Sequence, residues 1–519
     1  MSGKKIERAL ISVFDKTGII DFAKELGCMG IEILSTGGTY DALTKAGIKC
    51  IKIEDFTGQK EFFGGRVKTL HPLIHGGILS LRDEEARSLD IKPIDIVVVN
   101  LYPFETIVEK GVKNIDELIE MIDIGGPTML RSAAKNNKFT CPVCDPIFYG
   151  LIIEELKNGM ISDRTRFNMA IEVFKRTSYY DSLITNILSQ FQDDKAKDLF
   201  ENKFTIPLKK EIDMRYGENP HQKASFYSIP DYSENKLCSF YTDGKLHGKE
   251  LSYNNLADIS SVMRILSDLD ENSCVIVKHS NPCGAASRTT THESFMSAYE
   301  GDRVSIFGGI VGFKGVLSAE TAKILKDIFL EIIIAKSYDK EALEILSQKK
   351  NIRLMEYGKW SDKIFNDDAV ETKKILGGYL FQQKDVNNPY NEEFKTVTKK
   401  TPEAEYIEDL KFAQAIVKNV KSNAIVVVKN KMIYGVGAGQ MNRVTAAKIA
   451  LDWAGKSTQG AVIGSDAFFP MDDTVKLAAE RGIKAIIQPG GSIKDEDSIK
   501  ACDELGISMI FTGIRHFLH

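Results

Sequence analysis

At 519 residues the chain exceeds what one hydrophobic core supports, and its length allows roughly two to four domains. Composition is ordinary for a globular protein, 43% hydrophobic and 27% charged, with no low-complexity tract. A formal net charge of −4 argues against a nucleic-acid binder working by bulk electrostatics, so an anionic ligand must be met by local cations and backbone amides.

The first segment, MSGKKIERALISVF, has a short apolar run and no small-residue cleavage site after it, so it reads as a strand and not a signal peptide. No apolar stretch approaches the roughly 18 residues that a membrane span needs, and a cytoplasmic setting without membrane partners is expected. Short β-branched runs then alternate with helical patterns, the signature of a parallel α/β sheet. Leu10–Phe14, Ile31–Leu34 and Ile94–Val99 read as strands, each followed at once by a polar or glycine-containing turn. Ligands of open α/β sheets collect at such carboxyl ends, so three of them point to one shared site. A long helix is predicted over Asp163–Gln192. The charged segment 191–204 lacks an apolar face, which places a domain boundary near 200 and divides the chain into 1–200 and 201–519. Strands near 274–277, 332–335, 424–428, 461–464, 485–488 and 507–511 make the second region α/β as well. No strong sequence repeat is evident within it, and its subdivision is not readable from the pattern. Of eight scattered cysteines only Cys141 and Cys144 form a C-x-x-C, with no second pair or His set to complete a zinc site. No metal site is expected.

Ser35-Thr36-Gly37-Gly38-Thr39 stands between a strand and a predicted helix over Tyr40–Lys45. Two glycines, hydroxyls and a helix N-terminus suit an oxyanion, although a plain tight turn has the same form. In Gly65–Pro72, Arg66, Lys68, Thr69 and His71 fall within six residues of a loop bounded by glycine and proline. Ile122-Asp123-Ile124-Gly125-Gly126-Pro127 opens a helix with proline in its first turn, and Arg131 and Lys135 share one of its faces. Asp123 can meet a group held at the helix start. Lys135 lies about two turns further, so joint action with Asp123 depends on tertiary placement, and a helix-surface ion pair is the alternative.

With STGGT ahead of them, RVKTLHP, NLYPF and IDIGGPTMLRSAAKN resemble the inosinate cyclohydrolase half of the bifunctional enzymes of late purine synthesis, whose domain has the methylglyoxal-synthase-like α/β fold. The resemblance implies a formylated carboxamide ribonucleotide whose carboxamide nitrogen attacks its own formyl carbon with loss of water. It implies Lys68, Asp123 and Lys135 as proton-handling residues, with Tyr102 and loop amides at the oxyanion. Ser12, Lys16, Ser35, Thr36, Gly37, Gly38, Thr39, Arg66 and Thr69 would grip the ribose phosphate. Such a step asks for positioning more than for a strong base.

In the second region Asp213–Gln222 packs Arg215, Tyr216, an amide and an imidazole around glycine and proline, a loop loaded with recognition groups. Lys278 and His279 follow a buried strand, where an imidazole can take a proton from a weakly nucleophilic amine and an ammonium can stabilise a formyl oxygen. Pro282-Cys283 does not fit a zinc deaminase, because Ala286 stands where P-C-x-x-C needs its second cysteine. Gly435–Gln440 follows a strand-turn-strand and lacks the dinucleotide spacing, so NAD is not expected.

RYGENPHQ, VKHSNPCGAA, SIFGG, KSNAIVVV with GVGAGQ, SDAFFP, QPGGS and a terminal RHFLH resemble the formyltransferase half of the same family, whose fold is cytidine-deaminase-like. The resemblance implies formyl transfer from 10-formyltetrahydrofolate to an aminoimidazole-carboxamide ribonucleotide. It makes Lys278 and His279 the catalytic pair, with Asn423 orienting the imidazole or the formyl oxygen. Arg215, Tyr216 and Arg515 would bind nucleotide, and Phe307, Gly308, Phe468, Pro470 and Asp466 would line the folate or substrate pocket. Glu331 holds a carboxylate position associated with that site. A homodimer with formyltransferase sites at its interface is implied too. The competing reading keeps the formyltransferase and makes the first domain a nucleotide-sensing regulatory module.

Overall fold

The computed structural model describes residues 6–112, 114–192, 200–230, 236–366, 370–387 and 394–519. The predicted boundary segment therefore lies partly outside the described residues. By internal contacts the chain forms two units, Met1–Lys209 with Ile229–Glu234, and Lys210–Ser228 with Asn235–His519. No helix among the described residues is long and apolar enough to cross a membrane.

The first unit is built on a five-stranded, wholly parallel sheet of β1 (Arg8–Val13), β2 (Glu32–Ser35), β3 (Ile51–Lys52), β4 (Ile96–Asn100) and β5 (Cys141–Val143), in the order β3-β2-β1-β4-β5. Every residue of β4 is buried, as a strand covered on both faces must be. The order reverses between β1 and β4, and a crevice opens outside the strand ends at such a switch point. Register places Ser12 beside Val99 and Val13 beside Asn100. The predicted long helix runs Asp163–Leu188, capped by the Ser162 hydroxyl accepting from Thr165 N, and buries residues three and four apart along one stripe. A single 3-10 turn, Ser189–Phe191, completes the predicted span. Cys141 and Cys144 belong to cores on opposite sides of the sheet, because three residues along extended chain reverses the facing.

In the second unit β6 (Lys209–Met214) pairs with β7 (Ala224–Ser228), and the arginine- and tyrosine-bearing loop lies between them. Two six-stranded mixed sheets follow. One consists of β8 (Lys245–His247), β9 (Cys274–Lys278), β10 (Asn281–Ala286), β11 (Ile310–Leu317), β12 (Ile332–Tyr338) and β13 (Arg353–Glu356), in the order β10-β9-β11-β12-β13-β8. A hairpin of β14 (Val370–Ile375) and β15 (Gly378–Gln383) precedes the other sheet. That sheet consists of β16 (Lys395–Thr396), β17 (Ile425–Val428), β18 (Ile433–Gly437), β19 (Val462–Ser465), β20 (Ala485–Gln488) and β21 (Ser508–Phe511), in the order β18-β17-β19-β20-β21-β16.

Strand for strand the two sheets share one topology. Pairings across each run antiparallel, antiparallel, parallel, parallel, antiparallel, and a helix precedes the hairpin at the edge of each. The hairpins even share a bulge, at Cys283 in β10 and at Tyr434 in β18. This duplication is the subdivision that the sequence pattern leaves unreadable. Asn281–Ala286, which looks like loop because of its proline and glycine, is an edge strand, the place where a sheet tolerates proline.

Candidate functional sites

In the first unit a cavity of about 610 Å³ lies over the carboxyl ends of β1, β2 and β4. Ser12, Lys16, Thr36, Gly37, Gly38, Thr39, Arg66, Lys68, Thr69, Tyr102 and Asp123 all line it, drawn from five separate segments of chain. Its volume is in the range of small-molecule sites. The Gly37–Lys45 helix starts two residues into the predicted turn, at Gly37 itself, and no side chain caps it. Its first-turn N–H groups and positive end are thereby presented to an anion. Ser12 Oγ bonds Thr36 Oγ1 at 2.7 Å, and Thr39 Oγ1 ties back to Val13 through bonds of 2.8 and 3.1 Å, so the cradle is rigid.

Lys68 reaches across from the Gly65–Pro72 loop. Its ammonium lies 3.5 Å from where a side chain on Gly37 would begin, and Gly65, at φ 95°, leaves the space that the Lys68 stem fills. Two carboxylates face these cations: Glu61 meets Lys68 at 3.1 Å, and Glu120 holds Arg66 in a two-pronged pair.

Asp123 caps the Gly125–Lys135 helix. Its carboxylate accepts from Gly126 N at 2.8 Å and Tyr102 N at 3.4 Å. Its own N–H donates to the Tyr180 hydroxyl at 2.9 Å, and that hydroxyl donates to Met121 O at 3.4 Å. Burial pushes the Asp123 carboxyl above the usual aspartate range, against the two N–H groups that favour its charge. Burial also holds the Tyr180 phenol neutral, up to about 12.

Two predicted residues are placed elsewhere. The Ser35 hydroxyl is fully buried and donates to Ile11 O at 2.9 Å, so it ties two strands together and does not face the cavity. Lys135 is exposed in the last turn of the helix whose first turn forms the cavity wall, about 15 Å along the axis. Glu120 and Tyr180 lie outside every motif, and Asn100 opens NLYPF without a role read for it. Asn100 nonetheless shapes the loop above β1, accepting from Phe14 N and Asp15 N and donating to Asp15 O.

The second unit has a cavity of about 370 Å³ beside the β9–β10 hairpin, lined by Lys278, His279, Asn281, Cys283, Asp302 and Trp453 among others. Lys278 Nζ donates to Phe307 O at 2.9 Å, which links it to the Phe307-Gly308 turn, where Gly308 N is held by Phe329 O at 2.8 Å. Asn281 Oδ1 accepts from Lys421 N at 3.2 Å, and this brings the Asn423 segment to the hairpin. Asn423 is tightly held: its Nδ2 donates to Gln440 O and its Oδ1 accepts from Arg443, both at 2.8 Å. Burial pushes the Cys283 thiol up to about 12, which leaves it protonated and a poor nucleophile.

Asp466 does not line a pocket. It is fully buried, paired with Arg443, and accepts from Ser422 Oγ at 2.5 Å and Ala424 N at 3.1 Å. Glu331 is engaged by Arg353 at 2.7 Å. Phe468, Pro470, Arg215 and Arg515 are exposed, the last two with their guanidinium groups against the neighbouring Tyr216 and Phe517 rings. None of Arg215, Tyr216, Asn423, Phe468, Pro470 and Arg515 lines the cavity at Lys278 and His279 within one chain.

A family model described as the AICARFT/IMPCHase bienzyme matches residues 133–453, and one described as an MGS-like domain matches residues 18–128. Proteins named bifunctional purine biosynthesis protein PurH are similar to this chain from end to end. Those of Ruminiclostridium cellulolyticum, Bacillus cereus strain AH820 and Acetivibrio thermocellus are 47%, 48% and 48% identical. Each is covered over 100% of its length by 99% of this chain. A solved structure described as the crystal structure of ForH is 31% identical and covers 36% of this chain and all of its own, at a TM-score of 0.32.

Proposed function

The chain belongs to the AICARFT/IMPCHase bienzyme family of bifunctional purine-biosynthesis proteins, and from that premise we propose how its residues divide the two reactions. The protein is an aminoimidazole-carboxamide ribonucleotide formyltransferase and inosinate cyclohydrolase acting on small molecules, with a formyl-folate as cosubstrate. The observation that carries the division is the presence of two cavities in two units, each lined by its own cation and proton-handling group. Residues 1–200 carry ring closure and residues 201–519 carry formyl transfer.

In the first cavity the uncapped helix start at Gly37–Gly38, with Ser12, Lys16, Thr36, Thr39, Arg66 and Thr69, receives the ribose phosphate. The carboxamide nitrogen attacks the formyl carbon, and Asp123 accepts a proton from that nitrogen. Lys68 and Tyr102 stabilise the oxyanion formed on the formyl oxygen, which leaves as water after taking up the proton held by Asp123 and the one lost from the formamido nitrogen as its C=N bond forms. A module that only sensed phosphate would have no use for a carboxyl whose proton affinity burial has raised. Lys135 takes no part in this site within one chain.

In the second cavity His279 accepts the proton of the ribonucleotide's 5-amino group as that nitrogen attacks the formyl carbon of 10-formyltetrahydrofolate, Lys278 stabilises the formyl oxygen, and the bond to folate N10 then breaks as His279 returns the proton to N10 and tetrahydrofolate leaves. Arg215, Tyr216 and Arg515 bind nucleotide, Asn423 orients the reacting groups, and Phe307, Gly308, Phe468 and Pro470 offer surface to the folate. These residues meet in a homodimer whose formyltransferase sites span the interface. Eight free cysteines suit a reducing cytoplasm.

The test is His279→Ala in the full chain. Formyl transfer is expected to stop while supplied formylated ribonucleotide still closes to inosinate. Loss of both activities in a folded protein would mean one shared site, against this division.

A further inference from the structure

The turn that carries His279 is held from outside its own hairpin. His279 and Ser280 have φ of 52° and 60°, the left-handed region that residues with side chains rarely enter. They form the two-residue connection between β9 and β10, closed where Lys278 pairs with Asn281. Connections of this kind favour Asn and Gly, so His-Ser is a poor local choice. Asp258, on the helix Tyr253–Ser267, accepts from Ser280 N at 2.7 Å and from Ser280 Oγ at 3.1 Å.

The duplicated half repeats the device. Asn430 and Lys431 have φ of 50° and 47° in the β17–β18 turn. Asp409, on the matching helix Ala404–Val417, accepts from their N–H groups at 2.8 and 2.6 Å. Asp258 and Asp409, His279 and Asn430, and the bulges at Cys283 and Tyr434 correspond at one constant spacing along the chain. The clamp therefore belongs to the repeated framework. Only the first copy places an imidazole on a cavity wall, between Lys278 and Asn281.

We propose that Asp258 is a positioning residue for formyl transfer: by fixing Ser280 it sets the direction in which the His279 imidazole leaves the hairpin and enters the cavity. This rests on the reading of His279 as the base. The clamp ends at the neighbour of the catalytic side chain, and misplacement of a reacting group by about 1 Å costs on the order of a hundredfold in rate.

The experiment measures both activities in full-length Asp258→Ala, which removes the acceptor, with Asp409→Ala as the matched control. Asp258→Ala is expected to lower formyl-transfer kcat on the order of ten- to a hundredfold, with little change in nucleotide KM and none in ring closure. Asp409→Ala is expected to lower the melting temperature and leave kcat alone. Adding Ser280→Gly to Asp258→Ala should restore most of the lost rate, because glycine adopts the left-handed backbone without a clamp. A folded Asp258→Ala protein with parental kcat overturns the proposal, and so does a loss of kcat that ring closure shares or that Asp409→Ala reproduces. Formyl transfer surviving in His279→Ala overturns the base assignment instead, a result that does not involve Asp258.

Discussion

Asp123 is pulled two ways: burial favours its protonated form, and the N–H groups of Gly126 and Tyr102 favour its charge. Burial wins, so the folded chain binds this proton more tightly than the unfolded chain does. The group then favours the native state most at acid pH, and that contribution is lost as pH rises through the raised value. Asp123→Asn should raise the melting temperature at neutral pH, with the gain shrinking as the buffer is made acidic. The same substitution should slow ring closure about 10²- to 10⁴-fold. In the parent protein the acid limb of kcat/KM for ring closure should lie above the usual aspartate value of 3.8; a limb at or below it would remove Asp123 as the base. Arg66, Lys68, Thr69 and Asp123 were legible in the sequence because each falls in a short run of polar groups beside glycine or proline. Ser35 misleads because neighbouring residues at a strand end face opposite sides, and the pattern does not say which side is the cavity. The sequence already sets Lys135 about two turns beyond the helix start, and only the resemblance joins it to Asp123; the helix carries it about 15 Å from that start. Tyr180 had no local signal at all, since it reaches Asp123 from a helix far along the chain.

Among elements, the repeated hairpins show why a duplicated fold escapes a search for sequence repeats. Burial, strand order, one bulge, one carboxylate and two left-handed residues are kept, and these are met by His-Ser in one copy and Asn-Lys in the other. The parallel sheet of the first unit was easier to read, because its central strands are continuous apolar runs. The bulged strands instead lie against helix backbone at matching glycines. A methyl group on Gly435 would overlap the Ala450 carbonyl, and one on Gly284 would overlap that of Ala298. Gly435→Ala and Gly284→Ala should each cost about 1–3 kcal/mol in denaturant unfolding of the second unit, the penalty of forcing backbone apart in a packed interior. Both hairpins reach the cavity, β10 through Asn281 and Cys283 and β18 through Val436, but β10 follows directly from His279, so Gly284→Ala should slow formyl transfer per folded molecule more than Gly435→Ala does. Equal kinetic loss in both would mean that the two hairpins serve the site alike.

For the molecule as a whole, the two cavities differ in how complete one chain makes them. The first cavity, proposed above for ring closure, gathers nearly all of its expected residues from one unit. The second, proposed for formyl transfer, gathers Lys278 and His279 but not Arg215, Tyr216 or Arg515, and large apolar side chains in its lining are exposed. Trp453 is 56% exposed, one helical turn from Ile449 on the same helix face, and both line the cavity; Phe307 and Met441 are 63% and 98% exposed. Exposed apolar side chains gathered at a cavity suit an interaction surface, and the homodimer proposed above would bring to it the Arg215, Tyr216 and Arg515 of a second copy. Trp453→Asp places a charge in that apolar rim, where it loses burial and pays desolvation. On the proposed homodimer, sedimentation should show a dimeric parent and a variant shifted toward monomer at the same concentration. Formyl transfer should fall with the dimer fraction and recover as protein concentration is raised, while ring closure stays constant per chain. A monomeric variant with full formyl-transfer activity would show that one chain completes the site, and the exposed side chains at the cavity would then need another explanation than a second copy.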